Sequence, residues 1–480
     1  MVSLVTVVDG GKRVILVPAP CTPTSMKALP LVVVMLLLAS PVLGAVGPAD
    51  GSTRAAALDG ADPAQVESPS NETIHVLDIP SSELVQATVE AHHVDLGPSL
   101  DFAALRAGEQ IQTGASIERI ESATNDNTRQ QLILDELNSI EQRAIALQSA
   151  QRSAIERFNR GDLTERELLV ELARIDAEAR GLNERRVALR ELATETPDFS
   201  INSGRLAALE RELDTFTGPV RKYAVTVMSG QSDTARFSVR TSEMGVVLSV
   251  VADGEYVREA YRAGLRNRDQ STVSYEEALD IVAESYPTIY SSRAAQNGTN
   301  VISAGDSHRV RINYDRGQLT AYVDAGSGRV FKESQTRPLG SIATGAVATE
   351  VKDGLALTVD RTYPGGPLRI QLNESRSDDP VDANVTIGLE ASQESTLLGH
   401  TGSDGMLWTV SPSSPYTITV IKGNSAVVLT TSPTSMPILV TNTTAGTNDT
   451  AAMASSTPTE SSESASVVSH GAAVGPPAVI

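Results

Sequence analysis

Six histidines and a single cysteine are the obvious places to look for metal or nucleophile chemistry in this 480-residue chain. His92-His93 is the one adjacent histidine pair. Neighbouring side chains on a helix diverge by about 100°, so the pair is not expected to grip one metal ion. Asp378, Asp379 and Asp382 offer the hard oxygen ligands that Ca²⁺ takes, but on an acidic chain such a cluster is more often simply hydrated surface. Glu276-Glu277 follows Ser274, and Ser274 with Glu277 has the spacing of a capping box. These acids are expected to hold a helix end rather than move protons. H-E-x-x-H, paired cysteines, G-x-S-x-G and the phosphate-binding loop are all missing from the sequence. With no nucleophile, base and oxyanion donors in view, the sequence predicts a non-enzymatic protein with no catalytic residues, no cofactor and no metal.

The chain carries 59 acids against 39 bases, a net charge of −20. That sign repels nucleic acid, so no nucleic-acid partner is expected. The bases are lopsided, 33 Arg to six Lys. Acid excess with Lys depletion reads as adaptation to high salt, where the Debye length falls to about 3 Å and like-charge repulsion is screened. Removing Lys also removes long apolar stems from the surface.

Residues 1–45 read as an N-terminal extension and an export signal. Met26-Lys27 precedes the apolar run Ala28 to Ala39, and then come Ser40-Pro41 and small residues, with cleavage expected after Gly44 or Ala45. The run is shorter than the roughly 20 residues of a membrane span. If residues 28–45 stayed uncleaved they would serve as a membrane anchor, the alternative to a secreted or cell-surface location. Translation is read from either Met1 or Met26. Cys21 precedes the run, so lipid attachment through it is not expected. Glycosylation sequons stand at Asn71, Asn297, Asn373, Asn384, Asn442 and Asn448.

The elements that follow divide into modules. Residues 46–73 read as a linker, and 74–218 as a mostly helical domain. Ile74 to Ile79 is expected as a short strand, and 82–123 as weak helix broken at Gly97-Pro98 and Gly114. Ile133, Leu137, Ile140, Ala144, Leu147, Gln151, Ala154 and Phe158 alternate gaps of four and three, a heptad seam. Arg160-Gly161-Asp162 breaks it. Thr164 with Glu167 restarts a helix, whose seam runs Leu168, Leu172, Ile175, Ala179, Leu182, Arg186, Leu189 and Ala193. The two seams predict an antiparallel coiled-coil hairpin over 127–196, acting as a projecting spacer, with a shorter helix from Gly204 to Phe216 beside it. From Arg221 the period falls to two, and Tyr223 to Val227 is expected as a strand. Strands at Phe237–Arg240, Gly245–Val251, Arg309–Tyr314 and Leu319–Val323, with a helix capped by Ser274, make 219–337 an α+β module. Residues 343–430 read as an all-β sandwich with Trp408 anchoring its core, and 431–480 as a Ser/Thr-rich disordered tail.

The stretches Tyr275-Glu276-Glu277-Ala278, Val310 to Tyr314, and Tyr322-Val323-Asp324-Ala325-Gly326-Ser327-Gly328-Arg329-Val330 together resemble a PepSY-type module. That resemblance implies export and, for some members, inhibition or chaperoning of peptidases. Asp382 to Thr386 followed by Gly402-Ser403-Asp404-Gly405 resembles an Ig-like or carboxypeptidase-regulatory-like sandwich. The order of parts over residues 26–430 resembles haloarchaeal exported proteins built from domains of unknown function. The expected fold is therefore multi-domain α+β: helical hairpin, α+β sheet module, Ig-like sandwich and tail. The expected function is a cell-envelope module that binds an envelope protein or peptide. The alternatives are a regulator of extracellular peptidases and a purely structural surface component.

Overall fold

The computed structural model describes residues 74–440, apart from 269–271, 294–297, 344 and 390–394. The export signal, Gly44, Ala45, Cys21, residues 441–480 and the sequons at Asn71, Asn297, Asn442 and Asn448 lie outside the described residues. The expected disordered tail does not begin at 431, because the Thr434 amide donates to the Thr362 carbonyl and Val440 is buried in a core.

The heptad seams become two long helices, α2 (Asp126–Asn159) and α3 (Glu165–Thr194). Asn125 caps the first, and the Thr164/Glu167 capping box starts the second. Arg129 pairs with Glu195 and Arg143 with Glu178, so the two run antiparallel. Every residue of both seams is buried, including the polar Gln151 and Arg186. The partner across the seam is not one helix alone. The far half of the pair packs with helix α1 (Leu96–Glu121) and helix α4 (Ser203–Asp214). The turn half is laid on a sheet through Ile155, Phe158, Leu168 and Leu169. The expected projecting spacer is thus part of a helical layer.

The sheet has eight antiparallel strands in the order β1-β2-β3-β4-β8-β7-β6-β5. In chain order these are β1 (Gln86–His92), β2 (Ala235–Ser242), β3 (Gly245–Ala252), β4 (Glu255–Arg262), β5 (Thr299–Ala304), β6 (Ser307–Tyr314), β7 (Gly317–Asp324) and β8 (Val330–Pro338). The β3–β4 turn uses Asp253 and Gly254, both at positive φ, as a two-residue hairpin requires. β1 comes from the segment expected to be helical, and it forms one edge of the sheet. Helix α1 then runs unbroken through Gly97-Pro98 and Gly114. Pro98 lies in its first turn, where no donor is needed, behind the Asp95 cap.

The expected strand at Tyr223–Val227 is instead helix α5 (Pro219–Met228). Val220, Ala224, Val227 and Met228 fall on one buried face at helical spacing, and Pro219 presets the first turn. Gly218 at its cap faces Glu259 so closely that a Cβ there would meet the carboxylate at 1.9 Å. Ile74 to Ile79 is also not a strand. Only Val76 makes a bridge, parallel to Leu439, while Ile74, Leu77 and Ile79 are buried against the sheet.

Alternation of side chains splits the sheet between two cores. Phe237, Val239, Leu248, Val250 and Tyr261 face the helical layer. Val247, Ala260, Val310, Ile312 and Leu319 face the opposite way, toward helices α6 (Tyr275–Ser285) and α7 (Pro287–Arg293) and the entry segment 74–79.

Two four-stranded sheets follow. They comprise β9 (Ala346–Lys352), β10 (Leu355–Arg361), β11 (Pro367–Glu374), β12 (Asn384–Leu389), β13 (Ser395–His400), β14 (Met406–Val410), β15 (Tyr416–Lys422) and β16 (Ser425–Thr431), ordered β14-β11-β10-β9 and β13-β12-β15-β16. Leu357, Ile370, Val385 and Ile418 fill the space between them. Trp408 does not anchor that core. It pairs in register with Arg369 on the outward face of β11, and its ring lies 5.8 Å under that guanidinium. The Gly365 carbonyl joins the sandwich to the large sheet by accepting from Ser249 Oγ (2.6 Å) and Tyr256 OH (2.9 Å).

Gly317 opens β7 at φ +142°, and a Cβ there would sit 2.1 Å from the Thr336 carbonyl oxygen. Gly317→Ala is therefore expected to destabilise the fold by at least about 2 kcal/mol, read as a lowered denaturant midpoint in molar salt. An unchanged midpoint would mean the β7–β8 approach is looser than described.

Candidate functional site

The residues singled out from sequence do not converge. His92 is the last residue of strand β1 and His93 the first residue beyond it, so neither lies on the helix expected there. His92 is buried, with Nε2 3.0 Å from both carboxylate oxygens of Glu165. His93 is exposed and meets Thr234 Oγ1 at 2.8 Å. Asp378 Oδ1 accepts from the Asn373 side chain, and Asp382 Oδ1 accepts from the Gly402 amide. Those acids are tied to different turns, and no cluster of three metal-ligating side chains occurs among the described residues. Glu277 caps α6 as its spacing predicts, and the Ser274 amide it accepts from holds its carboxyl below the usual range. Of the described sequons, Asn384 is exposed at the start of β12, whereas the Asn373 amide is engaged by Asp378.

Sequence reasoning missed the charges that lie inside. On the α6 side of the sheet, Asp78 accepts from Arg240 Nη1 at 2.8 and 2.6 Å. Arg258 Nη1 donates to Glu333 Oε1 at 2.8 Å, and its Nη2 donates to the Leu77 carbonyl at 2.7 Å. Glu333 Oε2 accepts from the Leu77 amide (2.6 Å) and from Tyr286 OH (2.8 Å). Two carboxylates and two guanidiniums thus close a neutral set that binds the entry segment to β2, β4 and β8, with Tyr286 added from the end of α6. All four charged side chains are buried. Burial opposes the charge on Arg258, but Asp78 and Glu333 outweigh it and raise its pKa. Burial raises Glu333 despite Arg258 beside it, and it lifts Tyr286 well above the ordinary phenol range.

A second set lies on the helical face. Glu259 of β4 accepts from Arg221 Nε (2.8 Å) and from the Val220 amide (3.0 Å) at the start of α5. Arg221 continues to Gln151 of α2 at 2.7 Å. Asp176 of α3 accepts from the Gly218 amide at 2.7 Å. Two carboxylates therefore sit at the positive end of α5, where the helix dipole favours them. Lys332 of β8 donates to the carbonyl of Asp214, the last residue of α4, and to that of Thr217 just beyond it. Burial, with Arg221 nearby, pulls its ammonium down to about 7. At β1, burial pushes Glu165 up to about 7 against the pull of His92.

The larger openings lie elsewhere. A cleft of about 510 Å³ at one end of the sheet is bordered by Leu84, Val85, Met244 and Arg262. Another of about 480 Å³ between α1, α2 and α3 is bordered by Glu109, Arg143, Glu178 and Arg185. In the second cleft each guanidinium already holds a carboxylate, Arg185 with Glu109 at 2.8 Å and Arg143 with Glu178. The chemistry of these groups is to fix positions.

Residues 346–429 match an archaeal fibronectin-III type-like domain. Two further family models match the stretch before it: a domain of unknown function (DUF7096) matches residues 26–233, and a family of unknown function (DUF7094) matches 237–343. The fibronectin-like match agrees with the observed two-sheet sandwich. The boundary between the other two falls between α5 and β2, inside a body whose sheet takes strands from both sides. No curated protein matches the chain.

Removing one member of a buried ion pair typically costs about 3–5 kcal/mol, so Arg258→Met is expected to lose stability on that scale. Adding Glu333→Gln, which removes the charge but keeps an oxygen for the Leu77 amide, is expected to recover part of it. A double variant no more stable than the single one in denaturant titration would mean charge balance is not what the position requires. Lys332 generates a pH prediction. Its folded pKa near 7 lies below the unfolded value near 10.4, so the unfolded chain binds more protons in between. Stability is expected to rise by up to about 1.4 kcal/mol per pH unit over about pH 7–10, and Lys332→Met is expected to abolish that rise.

Proposed function

We propose that this protein is a non-enzymatic structural component of the exterior of a salt-adapted cell. The observation that carries the reading is the closed set Asp78, Arg240, Arg258 and Glu333. Its charges are spent on one another and on the backbone, which locks the chain's entry into the sheet. A site built for turnover keeps a titratable group facing a cavity, within reach of substrate.

Export is supported by the apolar run 28–39 behind Lys27, and life in high salt by the net charge of −20 with 33 Arg to six Lys. The fibronectin-III-like match supports an archaeal setting. The reading of a partner-binding module on a free helical spacer loses ground because α2 and α3 are laid against α1, α4 and the sheet. Peptidase regulation rests on the PepSY resemblance alone.

Fractionation of native cells with mass spectrometry of the mature N-terminus tests the proposal. A terminus at Ala45 or Val46 in surface or medium fractions is the expected result. A chain retained in the cytoplasm would overturn it. Slowed turnover by an extracellular peptidase on adding the chain at molar salt would replace it with the regulatory reading.

A further inference from the structure

The entry and exit of the described chain meet on the same face of the large sheet. Val76 donates to the Ile438 carbonyl at 3.1 Å, and Val440 donates to the Val76 carbonyl at 3.0 Å. The bridge is parallel. The two segments therefore run the same way, and residues 74 and 440 leave the bridge at opposite ends. Pulling on both sides of the chain drags the segments past each other along their length. The hydrogen bonds then lie across the pull and must fail together, whereas a hairpin pulled from its open end loses them one at a time.

Each segment is fastened well beyond those two bonds. On the entry side the Leu77 amide and carbonyl are held by Glu333 and Arg258, and the Asp78 carboxylate by Arg240. Ile74, Leu77 and Ile79 are buried in the α6-side core. On the exit side Val440 enters the same core, and the Thr434 amide donates to the Thr362 carbonyl of the sandwich at 2.9 Å. Met436 Sδ lies 3.7 Å from Arg240 Nη1, the nitrogen that also holds Asp78. The guanidinium of Arg240 thus touches both segments, one of them by a charge-assisted pair.

We propose that residues 74–79 and 434–440 form a mechanical clamp that carries tension between the two ends of the chain and shields the helices, sheet and sandwich enclosed between them. The clamp deepens the structural reading above and rests on it for its biological load. As a physical property it stands or falls separately.

The test is single-molecule pulling of the full chain in molar salt, with handles joined enzymatically to its first and last residues. Val76→Pro removes the amide donated to Ile438, and Asp78→Asn removes the charge held by Arg240. Each is expected to lower the first rupture force by at least twofold on this axis. A second axis separates clamp from general stability. Handles on cysteines placed at exposed Ile111 and Val351 (Ile111→Cys and Val351→Cys, with Cys21→Ser) pull on α1 and β9, away from the clamp. There the rupture force is expected to stay unchanged by Val76→Pro. Equal loss on both axes, or no loss on the first, would overturn the clamp. Cell fractionation, which tests the exterior setting, is untouched by either result.

Discussion

Charge buried away from water must be paired, and that requirement organises this molecule. Taking a carboxylate or guanidinium out of solvent costs several kcal/mol per ion. Asp78, Arg240, Arg258 and Glu333 meet the cost by closing on one another and on the backbone of Leu77. Because the four come from the entry segment, β2, β4 and β8, the set cannot form until those strands are in register. The second set works the same way from the other face, where Glu259 of β4 reaches the start of α5. The same strand thus carries Arg258 to one core and Glu259 to the other, and each anchors a different layer.

Sequence alone made much of the fold legible where the pattern is local. The seams of α2 and α3, the capping boxes at Thr164 and Ser274, and the Asp253-Gly254 turn depend on residues a few positions apart. The α5 segment misled for a physical reason. Tyr223 to Val227 alternates with period two, while Val220, Ala224 and Val227 also satisfy helical spacing. In ten residues both periods fit, and Gly218-Pro219 decides for helix. Trp408 misled because size alone suggested a core anchor, whereas its register opposite Arg369 turns it outward. The buried charges were out of reach, since Glu333 and the Leu77 amide it accepts lie 256 positions apart.

Arginine dominance looks different once the interior is known. Read from composition, few lysines describe a surface suited to salt. Inside, guanidiniums serve because each offers several donors in a fixed fork. Arg258 uses two nitrogens on three acceptors, reaching Glu333, Leu77 and Asp78. Among the described residues the one lysine placed deep, Lys332, meets carbonyls and the face of the Tyr322 ring but pairs with no carboxylate in a direct bond, and burial pulls its pKa far down. Sites that must stay charged in the interior are filled by the residue that does not deprotonate.

The bridge between Val76 and Leu439 also bears on how the chain is made. Synthesis runs from the amino end, so Val76 emerges long before its partner exists. Its backbone groups wait, through the making of every helix and strand, for residues 438–440 to appear. A product cut short after β8 but before residue 438 would leave the Val76 amide and carbonyl without these partners. Closing of the bridge therefore comes only after the described helices and strands have been made.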